Sequence, residues 1–456
     1  MHLPYFTFRF AFAIALLLVL NQFGFGQNGN NQRLQNYLEY LHSEKGFSGE
    51  ILIAQNEDVQ FHEAIGFASR SLKVPLAKGS KYNIASISKT FTGALIKIAE
   101  KEEKISLDDL AQKYLEHLGN QFKQVTIEQL LTHTSGIPHN EAIENYWQEK
   151  SRLSLPTEKV IHEINQLELL FRPGTKMKYS SLGYYLLASI LEKTYQKPFQ
   201  QLLDEKIYAK AGMSNTSSAN TLAIIEGRVN GYHQLPNDSI VQAPYRNYSM
   251  LKGAGDQVST AIDLLKWNNS FRKETLFNQA DQVKIFNDQF RDKNYGYGWY
   301  TDYSGKDVNY YHGGGTWGYS SYNAFFPASG VSIIVLSNLS TLPMNAIAKQ
   351  IETILNGEKL QLTTSHSKKV LPEIALQAYE GTYASSTSPM QMNVMFRDKQ
   401  LFAQIQGRPG FLLTPTGKHK FLGKKIDIEL EFNVVNGQTQ GIIAKRMGQT
   451  YEFKKQ

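Results

Sequence analysis

The β-like pattern of residues 49–66 is not resumed until residue 296, and this separation constrains the fold more than any other feature. Gly49 to Ala54 reads as a strand, Gln55-Asn56-Glu57-Asp58 as a turn, and Val59 to Gly66 as the return strand of a hairpin. From about 108 to 290 the pattern is mainly helical with loops. The β character then returns. Tyr295-Gly296-Tyr297-Gly298-Trp299 leads into Asn309-Tyr310-Tyr311-His312, followed by Tyr319 to Phe326 and the apolar run Val331 to Leu336. Strands at both ends with helices between them predict one antiparallel sheet closed by the two ends of a domain, with a helical insertion. This is an α+β class.

Within that frame, Leu34, Leu38 and Leu41 repeat at helical spacing and predict a first helix. Ser106 with Asp109 reads as the N-cap and N3 of another helix. The stretch Thr126 to Gly136 reads as a helix ending at a glycine, and Met177 to Ala188 as a buried helix. A last helix is expected near 346–355. Residues 357–371 are polar and lack periodicity, and read as a linker. Beyond them, short strands and the Asn436-Gly437 hairpin signal predict a small antiparallel barrel or sandwich over 372–456.

Composition narrows the chemistry. The 456-residue chain has no cysteine, which removes disulfides, a thiol nucleophile and Cys-ligated metals. Its net charge of +7 is scattered, with only short pairs such as Lys368-Lys369 and Lys424-Lys425, so no nucleic-acid-binding stripe is present. At the N-terminus, His2 and Arg9 precede an apolar run from Phe10 to Leu20, and Gly24-Phe25-Gly26 supplies small residues before Gln27. This predicts a secretory signal over 1–26 and an exported, periplasmic or extracellular protein. The run is short for a spanning helix, which needs about 20 apolar residues. Membrane contact is expected only through this segment if it stays uncleaved.

One stretch inside the expected sheet frame carries chemistry, Ser86-Ile87-Ser88-Lys89. At i and i+3 on a helix, Ser86 and Lys89 share a face. Ile84, Ile87, Phe91, Leu95 and Ile98 would bury that helix. A serine hydroxyl needs a base, and a lysine serves only if desolvation or nearby cations bring its pKa down from about 10.4. Ser86 in a first helical turn would also lie among free N–H groups that favour negative charge.

Two further stretches follow in order, Tyr179-Ser180-Ser181 and His312-Gly313-Gly314-Gly315. Together the three resemble the motifs of the serine β-lactamase and penicillin-binding-protein superfamily, in particular its class C-like branch of D,D-carboxypeptidases, D-aminopeptidases and esterases. The stretches Leu130 to Gly136, Phe171-Arg172-Pro173-Gly174, Tyr184 to Leu187, Gly253-Ala254-Gly255 and Tyr297-Gly298-Trp299 extend the resemblance over roughly 35–355. It implies Ser86 as the acylated nucleophile, with Lys89 and Tyr179 sharing the proton transfers, either of them as base. It implies the backbone N–H groups of Ser86 and Gly315 as an oxyanion hole, and Ser181, His312 and Gly314 as substrate-binding residues. No cofactor or metal is implied. His312 stands where many β-lactamases have lysine and, if protonated, would bind a substrate carboxylate. The second motif departs from the family: Ser181 replaces the usual asparagine, whose amide both donates and accepts. The implied substrates are small amides or esters, D-amino-acid peptides among them. A true β-lactamase and a weakly catalytic penicillin-binding sensor are the alternatives.

Other patterns fail their context. Gly313 to Gly318 fits G-x-G-x-x-G, but no helix is expected after it. Ser135 beside His133 reads as a structural loop. His62-Glu63 and His162-Glu163 lack a second histidine at ligand spacing, so no metal site is expected.

Overall fold

The computed structural model describes residues 29–219, 222–235, 239–286, 294–340, 342–360, 376–385, 390–406, 410–423, 428–446 and 449–456. The expected signal segment 1–26 and most of the expected linker 357–371 lie outside the described residues.

The two ends of the β pattern do meet. Strands β1 (Gly49–Gln55), β2 (Asp58–Ile65), β3 (Tyr300–Asp302), β4 (Asn309–Thr316), β5 (Tyr319–Phe325) and β6 (Val331–Ser337) form one six-stranded sheet in the order β3-β4-β5-β6-β1-β2. Every neighbour is antiparallel, and β1 meets β6 in the register Gly49↔Ser337, Ile51↔Val335, Ile53↔Ile333. Strand alternation sends the two sets of side chains to opposite faces. Ile51, Ile53, Ile333 and Val335 pack with Leu34, Leu38 and Leu41 of α1 (residues 29–45) and with Ile347 and Ile351 of α5 (Met344–Leu355). Leu52, Ile334 and Leu336 face the other way, into the core of the helical insertion. Both faces are covered, which is why these strands read as nearly continuous apolar runs.

The insertion contributes α2 (Ser88–Lys101), α3 (Ser181–Tyr195) and α4 (Ala261–Arg272). Three sequence expectations shift here. No α-helix follows Ser106. The Ser106 N–H is bonded by Asp109 at 2.8 Å, but Asp109 is also held by Lys113 and Tyr114, and the chain turns into a short bridge between Leu110 and Thr126. The helix begun by the Thr126–Gln129 capping box ends at Leu131, because His133 adopts a left-handed conformation at φ 59° well before Gly136. The expected helix from Met177 starts only at Ser181, capped by the Ser180 hydroxyl, which leaves Tyr179 in the approach to the helix.

The C-terminal module is a closed eight-stranded barrel running from Gly381 to Lys455. Leu430 and Phe432 point inward while Glu429 and Glu431 point outward, and the interior is filled by Tyr383, Met392, Val394, Leu401 and Ile442. Asn436 and Gly437, at φ 52° and 79°, make the tight hairpin turn that this dipeptide predicts. Closure comes from pairing of the last strand with the first, Tyr383 opposite Lys455. The barrel-or-sandwich alternative is thereby resolved. Among the described residues, no helix is long and apolar enough to cross a membrane.

Candidate active site

The site is built where β4 passes the start of α2. Ala85–Ile87 forms a short 3-10 turn, and Ser86 sits in it rather than in the α-helix itself. Ala85 is held at φ 46°, a left-handed conformation that costs a non-glycine residue about 1–3 kcal/mol. The turn leaves Ser86 half-buried. Lys89 is fully buried, and its Nζ lies 3.2 Å from Ser86 Oγ, 3.2 Å from Ser181 Oγ and 2.6 Å from the Ala254 carbonyl oxygen. The i, i+3 spacing therefore yields the contact it predicts.

The surroundings of Lys89 are aromatic. Its Nζ lies 4.9 Å from the ring centre of Tyr179 and 5.7 Å from that of Tyr184. Burial drives the lysine well below its ordinary value of 10.5, and the Asp256 carboxylate works against that shift. Asp256 is itself raised by burial, to about 6, although the Gln257 amide and the Gly253 N–H both donate to it. An Asp256→Asn variant keeps an oxygen for the Gly253 N–H and removes the charge that favours the ammonium. Above about pH 6, where Asp256 is ionised, the lysine should then lose its proton more readily. The acid limb of Ser86 acylation is expected to move down by about 1 pH unit, the low end for a neighbouring charge. A pH–rate profile of both proteins checks this.

Tyr179 Oη is buried and has no hydrogen-bond partner among the described residues. Burial, with Tyr300 adding to it, pushes the phenol well above 10, and the nearby Ser86 hydroxyl pulls it partly back. In this state Tyr179 is a neutral phenol. Its loop is fixed by His133: the Lys178 N–H donates to the His133 carbonyl at 2.9 Å, and the Ser180 N–H donates to His133 Nδ1 at 3.2 Å. The Ser180 hydroxyl donates to the Pro138 carbonyl at 2.8 Å. His133 thus has the structural place expected of it, and Ser135 is not part of this constellation.

His312 needs a correction. It is fully buried, and burial with the nearby Lys89 brings its imidazole down to about 3. Its Nδ1 donates to the Gly313 carbonyl at 2.6 Å, and its Nε2 accepts from the Tyr295 hydroxyl at 3.3 Å. A neutral ring with both nitrogens engaged is not the cationic carboxylate receptor expected from the motif. The glycines after it divide their work. A Cβ on Gly314 would stand 2.2 Å from the Ile84 carbonyl oxygen and 2.3 Å from Ser321 Oγ, so this glycine lets β4 close on the Ser86 turn. Gly315 is exposed, with nothing within 4 Å of its Cβ position. Strand β3 pairs no further than Tyr311, so from His312 to Thr316 that edge of β4 carries no paired strand.

Two groups at the site escape the sequence reading. Gly253-Ala254-Gly255 is visible as a landmark, but only the folded chain brings the Ala254 carbonyl onto Lys89. His139 Nε2 lies 3.1 Å from Ser181 Oγ, and its Nδ1 contacts the Glu141 carboxylate. No spacing in the sequence links residue 139 to residue 181. The only signal is a histidine just beyond the Leu130-to-Gly136 landmark. Among the described residues, no group of acidic and histidine side chains is arranged to hold a metal ion.

The Beta-lactamase family model matches residues 34–354. Penicillin-binding protein 4* of Bacillus subtilis is 27% identical over 448 residues, covering 92% of this chain and 98% of that protein. The crystal structure of a penicillin-binding protein from Bacillus halodurans superposes with a TM-score of 0.62 at 25% identity, over 70% of this chain and 98% of that one. The octameric penicillin-binding protein homologue from Pyrococcus abyssi gives 0.64 at 22% identity, over 93% and 99% respectively, a likeness of fold.

Proposed function

Because this chain belongs to the Beta-lactamase family of serine hydrolases, we propose that it cleaves small amide or ester substrates through an acyl-enzyme on Ser86, with D-amino-acid peptides as one subclass. The observation that carries this reading is the fully desolvated Lys89 amine 3.2 Å from Ser86 Oγ. A neutral lysine accepts the Ser86 proton as Oγ bonds to the substrate carbonyl carbon. The resulting oxyanion lies toward the backbone N–H groups of Ser86 and Gly315, each such donor contributing roughly 2.7–4 kcal/mol in comparable sites. Collapse expels the amine or alkoxide, which takes a proton from Tyr179, the neutral phenol beside Ser86. Tyr179 regains its proton from the Lys89 ammonium. Water then attacks the ester by the reverse route, with Lys89 again the base. Lys89 is favoured over Tyr179 as base because burial drives both toward their neutral forms, and only the neutral amine is basic.

The test is intact-protein mass and turnover after exposure to an activated ester and, separately, a penicillin, in wild type and Ser86→Ala. Ester acylation or turnover only in the wild type is expected. Penicillin turnover as well would make the protein a β-lactamase. No adduct and no turnover above Ser86→Ala would leave a binding protein. We further propose that residues 1–26 direct export and are removed, so the secreted protein should begin at Gln27 by N-terminal mass.

A further inference from the structure

We propose that His139 is a positioning residue of this site: acting through the Ser181 hydroxyl, it sets the direction of the hydrogen bonds around Lys89 and so reserves the lysine lone pair for Ser86. The inference rests on the Ser86 acyl-enzyme reading. It follows from the chain of contacts Glu141–His139–Ser181–Lys89–Ser86.

Each link has one permitted direction. A carboxylate only accepts, so His139 Nδ1 carries the hydrogen toward Glu141. In the neutral imidazole Nε2 is then an acceptor, and the Ser181 hydroxyl must donate to it across 3.1 Å. The Ser181 oxygen is left with lone pairs toward Lys89, which donates to it across 3.2 Å. The Ala254 carbonyl can only accept, and takes a second lysine N–H at 2.6 Å. A neutral amine has two N–H groups and one lone pair. With both hydrogens placed, the lone pair remains for the Ser86 hydroxyl at 3.2 Å.

Remove the acceptor at His139, and the Ser181 O–H is free to turn and occupy that lone pair. The charged and titratable groups around His139 are Glu141 on Nδ1, Lys89 across Ser181, His133, and the Tyr179 ring stacked at 5.8 Å. A serine and a histidine thereby perform together what one asparagine amide, donor and acceptor at once, can do alone.

The experiment measures Ser86 labelling by a fluorophosphonate, and kcat and KM for an activated ester, at neutral pH. His139→Ala should slow labelling about 10–100-fold, within the roughly 10²–10⁴-fold supplied by a positioned base. The loss should fall on kcat, with KM little changed. His139→Gln can accept from Ser181 and donate to Glu141 without titrating. It should label within about threefold of wild type. It also keeps the test open if the alanine variant fails to fold. In a Ser181→Ala background, His139→Ala should have no further effect, since the two act as a unit. His139→Ala labelling within twofold of wild type would overturn the inference, as would additive losses in the double variant. Wild-type labelling no faster than Ser86→Ala would instead sink the acyl-enzyme reading itself.

Discussion

Replacing Lys89 with methionine should slow acylation of Ser86 by about 10³-fold or more and, at neutral pH, raise the midpoint of thermal unfolding. The first effect follows from loss of the base, which supplies roughly 10²–10⁴-fold when well placed. The second follows from burial. A lysine whose folded pKa lies far below 10.5 binds fewer protons folded than unfolded, so its burial destabilises the protein at every pH below 10.5. That penalty is largest below the folded pKa and is relieved as pH rises toward 10.5. Methionine matches the stem in volume and carries no charge. It leaves the Ala254 carbonyl and the Ser181 hydroxyl without the lysine, at about 1–3 kcal/mol for an orphaned buried group. Giving up the lysine proton costs about 1.4 kcal/mol for each pH unit below its ordinary value, so the net gain at neutral pH is positive but modest. Thermal melts of both proteins at pH 7 and near pH 10 check the sign: the advantage of the methionine variant should shrink at the higher pH. A variant that is inactive and also less stable at pH 7 would mean that Lys89 is buried as a well-compensated ion.

The second large effect is expected at Gly314. An added methyl would meet the Ile84 carbonyl and Ser321 Oγ, which are joined to each other by a 2.8 Å hydrogen bond. It would also stand 3.2 Å from the Ala85 Cβ. Neither the backbone at Ile84 nor the strained Ala85 can yield cheaply, so β4 must move away from the nucleophile turn. Overpacking of this kind costs about 1–3 kcal/mol. A displacement near 1 Å between Gly315 and Ser86 should slow acylation about 100-fold. Gly315→Ala is the control, because its methyl enters open space. Its thermal midpoint should match wild type, and any loss should appear against larger substrates. Labelling rates and melts of the two alanine variants decide the matter. Equal behaviour would mean that β4 does not brace the Ser86 turn.

Local patterns carried much of the architecture. The continuous apolar runs of β1 and β6 are written in Ile51 to Ala54 and Ile333 to Leu336, and both faces find a core. The early and late β stretches pair as their separation predicts. The Asn436-Gly437 turn forms where the dipeptide stands. Local readings failed where tertiary contacts competed with them. Asp109 answers to Lys113 and Tyr114 as well as to the Ser106 N–H, so the cap starts no helix. His133 breaks a helix that Gly136 was expected to end.

At the site the division is the same. Ser86 and Lys89 are one helical turn apart, so their contact is a local consequence of spacing and was legible from residues 86–89 alone. The identity of the third stretch, with glycines following His312, was legible as a motif. The charge state of His312 was not, because it depends on burial and on the Tyr295 hydroxyl and Gly313 carbonyl that take its two nitrogens. Nor was Gly314 readable as the close-packing position, since its neighbours Ile84 and Ser321 come from other parts of the chain. The sequence by itself determined the sheet's two-ended closure, the Ser86–Lys89 contact, and the family. The tertiary structure alone decided which groups dry out Lys89, which carbonyl and hydroxyl hold it, and that His139 stands behind Ser181. Spacing dictates contacts within a turn of helix or along a strand; proton positions depend on burial and on partners that only folding brings together.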